Sequence, residues 1–300
     1  MKSLIVIISN PVAKKASEKK ISIASNFLKS KGYKVEIFST KKRGDAENFA
    51  RNAITESPHL IIAAGGDGTF NEVANGIAGS ETPMAILPLG TTNVLAKETG
   101  IPENVEKAME IAVSNTPKTI SLGKISCLRE NQITHQQLPI TRYFILMAGI
   151  GFDAEAVFGI NENIKKVSGK GAYIYSGFKV LLNFKPSDLA FDIDGKIYSG
   201  SSAVIGNTAK YGGNFKITPD ARLSEPNLCI CLFKGKKRGD ILRYVIGILT
   251  KSHLRFNDIE YLKANRIQIN GNSHIQIDGD YLGMTPAKVE IAPDVLRLVF

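Results

Sequence analysis

The sequence has few cysteines, few histidines and no long apolar run. Its longest apolar stretch, residues 143–152, is far shorter than the roughly 20 residues a spanning helix needs, which excludes a polytopic helical membrane protein. The three cysteines exclude a disulfide-stapled scaffold. Cys229 and Cys231 alternate along an apolar strand pattern and point the same way, and with Cys127 they read as core thiols in a reducing cytoplasm. A C-x-C without a second pair is not a zinc signature. The four histidines, His59, His135, His253 and His274, have no ligand spacing, and no G-x-S-x-G elbow occurs, so metalloprotease and hydrolase readings lose support. The apolar start over residues 4–8 stops at Ser9-Asn10-Pro11 with no small-residue cleavage site after it, and reads as a buried first strand, not a signal peptide. No collagen period, low-complexity tract, internal repeat or linker is visible. What remains is a globular composition in 300 residues, enough chain to bury a core without disulfides or structural metals.

What the sequence has in excess is positive charge: 38 Lys+Arg against 28 Asp+Glu, a net charge of +10. Clusters lie at Lys14-Lys15, Lys19-Lys20, Lys41-Lys42-Arg43, Lys165-Lys166 and Lys236-Lys237-Arg238. Nucleic acid, an anionic membrane surface or a phosphate-rich substrate would each account for it, as would a solvated surface without a partner. No basic stripe with interleaved aromatics favours nucleic acid, and none is expected as a partner.

Residues 1–120 alternate short apolar runs with helical patterns. Strands are expected at 4–9, 34–39, 59–64 and 84–89, and helices at 17–31, 45–55, 69–78, 93–99 and from Pro102 to 113. This alternation implies βαβ units and a parallel sheet covered on both faces, a Rossmann-like α/β domain. From about residue 120 the period changes. Asp194-Gly195, Asn270-Gly271 and Asp278-Gly279 are each flanked by apolar/polar alternation, the signal of type I′ hairpins. Helical patterns interrupt at 172–184 and 239–252, so residues 121–300 read as an antiparallel β-rich domain with two inserted helices.

The most informative segment is Gly65-Gly66-Asp67-Gly68-Thr69-Phe70-Asn71-Glu72, where a buried strand runs through a glycine turn into a helix. Glycines let backbone N–H groups approach a phosphate, and the helix N-terminus adds unpaired donors and its dipole. Thr69 suits an N-cap or a phosphate contact. Asp67 is a carboxylate in an anion-attracting turn and needs a cation or a proton-transfer role there. Pro88-Leu89-Gly90-Thr91-Thr92-Asn93 repeats the logic after the next strand. In an open α/β sheet such loops converge on one crevice, with Asn10 and Thr40 along the same edge. The loop is not a Walker A sequence. Gly149-Ile150-Gly151-Phe152-Asp153-Ala154 fits G-x-G-x-x-A but lacks the acidic residue some 20 positions on, and reads as a tight strand-to-helix turn.

These residues carry a family resemblance. Gly65–Val73 with Asn75-Gly76, the Pro88–Asn93 loop, Thr40-Lys41-Lys42-Arg43-Gly44-Asp45-Ala46 and Ile277-Asp278-Gly279-Asp280 together resemble the diacylglycerol kinase catalytic family, which includes sphingosine kinases and bacterial lipid kinases. The resemblance runs nearly end to end. It implies a nucleotide domain, a C-terminal antiparallel β-sandwich domain that takes the lipid, and an active site in the cleft between them. It implies ATP and Mg²⁺ as cofactors, with Asn10, Thr40, Gly65, Gly66, Asp67, Gly68, Thr69, Asn71 and Thr91 binding ATP. Asp67 would organise phosphates and Mg²⁺, and Asp280 would stand where the family has its general base.

Three departures from the pattern stand out. Asp280 replaces a frequent Glu, Ser121 stands where many relatives have Asp, and the metal loop reads Ser224-Glu225-Pro226. Glu225, with the backbone carbonyls of Arg222 and Asn227, is the candidate metal set. The expectation is an ATP-dependent kinase acting on diacylglycerol or a related lipid at a membrane surface, cytoplasmic and peripherally associated, with a homodimer left open. An NAD kinase-like enzyme and a catalytically impaired nucleotide- or lipid-binding regulatory protein are the alternatives.

Overall fold

The computed structural model describes residues 3–11, 14–130, 136–158, 186–212 and 215–300. The helix expected over 172–184, the Lys165-Lys166 pair and His135 lie outside the described residues. The chain divides into two compact units, Met1–Leu122 with Pro293–Phe300, and Gly123–Ala292. The last eight residues, expected with the second domain, therefore pack with the first.

In the first unit the strands are β1 Leu4–Ser9, β2 Lys34–Ser39, β3 Leu60–Gly65 and β4 Met84–Pro88. Their order is β4-β3-β1-β2, all pairs parallel. The chain's end extends this sheet, with Leu298 beside Met84 in parallel and the Val299 N–H donating to Met84 O at 2.8 Å. β3 and β4 are buried at every residue, as continuous apolar runs must be when helices cover both faces. The helices are α1 Lys14–Ser30, α2 Asp45–Ala53, α3 Asp67–Ile77, α4 Val94–Thr99 and α5 Val105–Ser114. α1 packs beside α5, and α2 beside α3. α5 starts after the expected Pro102 because Asn104 supplies its cap, accepting the Lys107 N–H at 2.9 Å.

In the second unit, β5 Lys118–Glu130 pairs from Gly123 onward with β6 Gln137–Phe144, antiparallel. β7 Met147–Ile150, α6 Phe152–Phe158, β8 Leu189–Ile193, β9 Lys196–Gly200, β10 Ser202–Gly206, β11 Lys210–Tyr211 and β12 Phe215–Lys216 follow. Then come β13 Leu228–Phe233, a helix α7 over Arg238–Leu249, β14 Ile259–Ala264, β15 Arg266–Asn270, β16 His274–Ile277 and β17 Asp280–Leu298. One antiparallel run is β14-β13-β10-β7-β16-β17, and a second is β9-β8-β15-β17. β17 serves both: Asp280–Met284 pairs with β16, and 287–290 with β15. Ile205, Ile230 and Ile275 from one run meet Phe191, Ile267 and Val289 from the other in a single core. The unit is thus a β-sandwich.

Two of the three expected hairpins form. Asp194-Gly195 joins β8 to β9 and Asp278-Gly279 joins β16 to β17, each with positive φ at both turn residues. Asn270-Gly271 does not close a hairpin. β15 and β16 instead lie along successive lengths of β17, so the turn passes the chain onward and not back. Cys229 and Cys231 are buried free thiols on β13, and burial pushes the Cys231 pKa up to about 12. No helix of the described residues is long and apolar enough to cross a membrane.

Candidate functional site

The order β2-β1-β3-β4 makes the β1/β3 boundary the point where crossovers reverse, and ligands of open parallel sheets bind outside the strand ends there. Asn10 follows β1. Its N–H donates to Ala64 O at 3.0 Å and its Nδ2 to Thr69 Oγ1 at 3.3 Å. Thr40 follows β2, its N–H on Ser9 O at 2.8 Å. Gly65 O accepts the N–H groups of Leu89 at 2.7 Å and Gly90 at 3.1 Å, which ties the second loop to the first. A Cβ on Gly90 would lie 2.7 Å from Gly66 Cα, so the loops touch backbone to backbone because residue 90 is glycine. Asn10, Thr40, the Gly65–Thr69 turn and the Gly90–Asn93 loop are brought to one edge. Thr91 is exposed on that loop, and Asn71 lies one turn along α3, accepting hydrogen bonds from Asn75 Nδ2.

Thr69 is not the N-cap. α3 begins at Asp67 with Gly66 in the cap position, so Thr69 sits buried in the first turn, where its hydroxyl meets Asn10. Asp67 also has a partner that the sequence did not reveal. Its carboxylate accepts the Val94 N–H at 2.9 Å and the Leu95 N–H at 3.0 Å, and so caps α4 from across the two loops. Burial pushes its pKa above the usual carboxylate range, against the pull of those hydrogen bonds. Asn93, in the left-handed region, donates to Gly90 O at 2.8 Å, while its buried Oδ1 has no donor among the described residues. That orphan acceptor beside the glycine loops suits a ligand that brings a donor or a cation. Glu72 performs a second cross-cap: its carboxylate accepts the Gly44 N–H at 3.0 Å and the Ala46 N–H at 3.2 Å at the start of α2.

In the second unit, Asp280 is half-buried as the first residue of β17. The turn before it is anchored by Asp278, whose carboxylate accepts the N–H groups of Ile145 at 2.8 Å and of Leu146 and Met147 at 2.9 Å each. Gln276 Oε1 accepts the Gly279 N–H at 2.8 Å, and Gln276 Nε2 donates to Asp153 at 2.6 Å. Tyr211 also donates to Asp153. Crowding by protein pushes the Asp153 carboxyl above its ordinary value, against the pull of the Tyr211 and Gln276 hydrogen bonds. The G-I-G-F-D-A segment is the expected strand-to-helix turn, with Gly151 at φ 84°, and it is what carries Asp153. Asp153 and Tyr211, with Ser202 and Tyr244, stand in the wall of a cavity of about 210 Å³ lined mainly by apolar side chains, among them Ile150, Val204, Phe233, Ile241 and Ile248. Neither Asp153 nor Gln276 carried a sequence signal, since 123 positions separate them.

The candidate metal set of Glu225, Arg222 and Asn227 is engaged by other protein groups in this structure, although the buried Asn227 Oδ1 has no hydrogen-bond donor among the described residues. Glu225 Oε2 already meets Lys263 Nζ at 2.7 Å and accepts from Asn227 Nδ2 at 3.3 Å. The Arg222 carbonyl takes the Glu225 N–H at 3.1 Å, and the Arg222 guanidinium lies on Pro219 O and Ala221 O. A divalent ion there would compete with Lys263 for the Glu225 carboxylate. Among the described residues no group of three or more His, Cys, Asp or Glu is placed to hold one.

Residues 4–125 match the diacylglycerol kinase catalytic domain, and residues 147–300 match the YegS C-terminal NAD kinase beta sandwich-like domain. A diacylglycerol kinase of Bacillus subtilis (strain 168) is 30% identical over 290 residues, covering 94% of this chain and 91% of that protein. One from Staphylococcus aureus (strain Newman) is 29% identical, covering 94% and 87%. A crystal structure of a diacylglycerol kinase from Bacillus anthracis (strain Sterne) superposes with a TM-score of 0.77 at 22% identity, over 100% of this chain and 97% of that one, and shares the fold. With matched domains over both units and a relative aligned almost end to end, the chain belongs to the diacylglycerol kinase family of bacterial lipid kinases and is a phosphotransferase enzyme.

Proposed function

We propose that the protein transfers the γ-phosphoryl group of ATP, taken up as its Mg²⁺ complex, to the hydroxyl of diacylglycerol or a related lipid at a membrane surface. The touching glycine loops at the β1/β3 edge support the nucleotide half. In this reading Asn10, Thr40, Gly65, Gly66, Gly68, Thr69, Asn71 and Thr91 line the nucleotide site. Asp67 holds the two loops in register through α4, and the buried Asn93 Oδ1 takes a donor of the nucleotide complex.

The observation that carries the lipid half is the cavity walled by apolar side chains in the second unit, which suits an acyl chain and not the polar body of NAD⁺. The reaction is an in-line displacement. The lipid hydroxyl oxygen bonds to the γ-phosphorus, the bond from that phosphorus to the β,γ-bridging oxygen breaks, and ADP leaves. Asp280 takes the hydroxyl proton. The Asp278 turn and Gln276 fix the strand end that presents it.

The test is phosphoryl transfer from labelled ATP with Mg²⁺ to a panel of lipids and to NAD⁺, with Asp280→Asn as control. Label in a lipid alcohol from the wild type, and its loss in Asp280→Asn, is the expected result. Label in NAD⁺ would move the assignment to the nucleotide acceptor. Measurable ATP binding with no labelled acceptor would favour the regulatory reading. Equal labelling by the variant would remove Asp280 as the base.

A further inference from the structure

α7 is apolar on two sides. Ile241, Tyr244 and Gly247 are buried on its inner side, and Ile248 lines the cavity. Val245 and Leu249, 37% and 52% exposed, also line the cavity and stand at its rim, while Leu242 and Ile246, one turn apart and 47% and 52% exposed, lie outside its wall. Leu254, just beyond the helix, is exposed as well. Exposed Leu242, Ile246 and Leu254, next to the partly exposed cavity rim, are unfavourable in water and are stabilised by a layer that removes them from it.

The charges around this face are predominantly positive. From 236 to 255 the chain holds Lys236, Lys237, Arg238, Arg243, Lys251 and Arg255 against Asp240 alone. Asp240 is turned inward on the helix start, accepting the Lys237 N–H at 3.0 Å. Arg243 is held by Asp258 and lies over the Tyr244 and Phe256 rings, and Lys236 is bridged to Asp188. Lys237, Arg238, Lys251 and Arg255 are exposed and make no ion pair among the described residues.

We infer that α7 docks the protein on an anionic bilayer, with Leu242, Ile246 and Leu254 entering the headgroup boundary beside the cavity rim of Val245 and Leu249, and Lys237, Arg238, Lys251 and Arg255 meeting lipid phosphates. Apolar patch and flanking cations are the two components of interfacial helix binding, one set by area and one by charge. A protein partner would need its own acidic rim around an apolar face; a bilayer of anionic lipid presents both everywhere. The placement gives the cavity a purpose, since the helix that touches lipid outside walls an apolar space inside. The inference deepens the lipid-kinase reading and rests on it for the identity of what enters that cavity.

The test is co-sedimentation of the full chain with phosphatidylglycerol/phosphatidylcholine vesicles and with phosphatidylcholine alone. Leu242→Glu/Ile246→Glu changes two exposed residues outside the cavity wall and should lower partition onto anionic vesicles at least tenfold. Lys237→Gln/Arg238→Gln/Lys251→Gln should bring anionic binding down to the level seen with phosphatidylcholine and flatten its salt dependence. Binding of the apolar double variant equal to wild type would overturn the inference. So would a wild-type dimer in sizing with light scattering that the same variant dissociates, because the face would then be a contact between copies. Phosphorylation of a short-chain diacylglycerol in detergent micelles separates the two readings. The double variant should keep that activity; if neither protein has it while vesicle binding still depends on α7, docking stands and the kinase reading fails.

Discussion

Asp278 offers a sharp test of how the candidate base is held. Replacing it with Asn leaves the backbone untouched, because Asn adopts the left-handed conformation at φ 49° as readily as Asp. Only the acceptor changes. The carboxylate takes three N–H groups, Ile145 on one oxygen and Leu146 and Met147 on the other, at 2.8–2.9 Å. Hydrogen bonds to a charged acceptor contribute about 1.5–3 kcal/mol each and neutral ones about 0.5–1.5 kcal/mol. An amide oxygen can keep the Leu146 and Met147 bonds in weaker form. The amide NH₂ then faces the Ile145 N–H, donor against donor, and that bond is lost. After a discount for the half-buried position, the local cost comes to about 3 kcal/mol. The assay is amide hydrogen exchange, which reads the segment directly. Protection of Ile145, Leu146 and Met147 should fall by about a hundredfold in Asp278→Asn, the factor that about 3 kcal/mol implies. Lipid phosphorylation should fall with it, while ATP affinity stays, because the glycine loops belong to the other unit. Unchanged protection at these three amides would refute the anchoring role, and lost protection with full turnover would refute the link to Asp280.

Three further outcomes are expected. Gly90→Ala sets a methyl 2.7 Å from Gly66 Cα and must part the two loops, so calorimetry should show ATP binding at least tenfold weaker in a folded protein; undiminished affinity would take the nucleotide away from this edge. Gly149→Ala drives a Cβ to within 2.6 Å of Gln276 Nε2 and closer still to Asp153, an overpacking cost of about 1–3 kcal/mol; a thermal midpoint equal to wild type would show that the polar cluster yields freely. Burial raises the Asp153 pKa, so above the unfolded value of about 3.9 the folded chain holds more protons than the unfolded one, and stability falls as pH rises through the raised pKa. Asp153→Asn lacks that ionisation, and its thermal midpoint should gain on wild type as pH rises above about 4; a pH-independent difference would contradict the assignment.

Much of the fold was legible because period and punctuation report local geometry. Continuous apolar runs at β3 and β4, each followed by glycine and a helix, can only be buried parallel strands, and they are. Asp194-Gly195 and Asp278-Gly279 formed their turns for the same reason: both positions need φ > 0. Asn270-Gly271 carries the same local signal but no hairpin, because pairing is decided across the sheet, where β17 supplies the partner for both flanking strands. The last eight residues follow the same rule. Nothing in 293–300 states that Leu298 lies beside Met84, since a parallel edge position depends on a strand more than 200 positions away.

The site shows the same division more strongly. Motif residues that look like ligands of a phosphate spend much of their chemistry on each other: Glu72 caps α2 at Gly44 and Ala46, and Asp67 caps α4 at Val94 and Leu95. The sequence reading that Asp67 needs a cation or a proton-transfer role in its turn followed from the turn alone, whereas α4 brings the positive end of a helix to it. In the second unit the unread residues are those that join distant segments. Asp153, at the cavity wall, bonds Gln276, and Gln276 bonds Gly279, the residue before Asp280. Two hydrogen bonds thus run from the apolar cavity to the strand end that presents the candidate base. Any chain that fills the cavity beside Asp153 presses on the same polar cluster that sets the Asp278-Gly279 turn. In the proposed reading a hydroxyl-bearing lipid and the carboxylate that deprotonates it would be positioned through one structure, which gives a role to a glutamine buried at 1% exposure between Ile275 and Ile277.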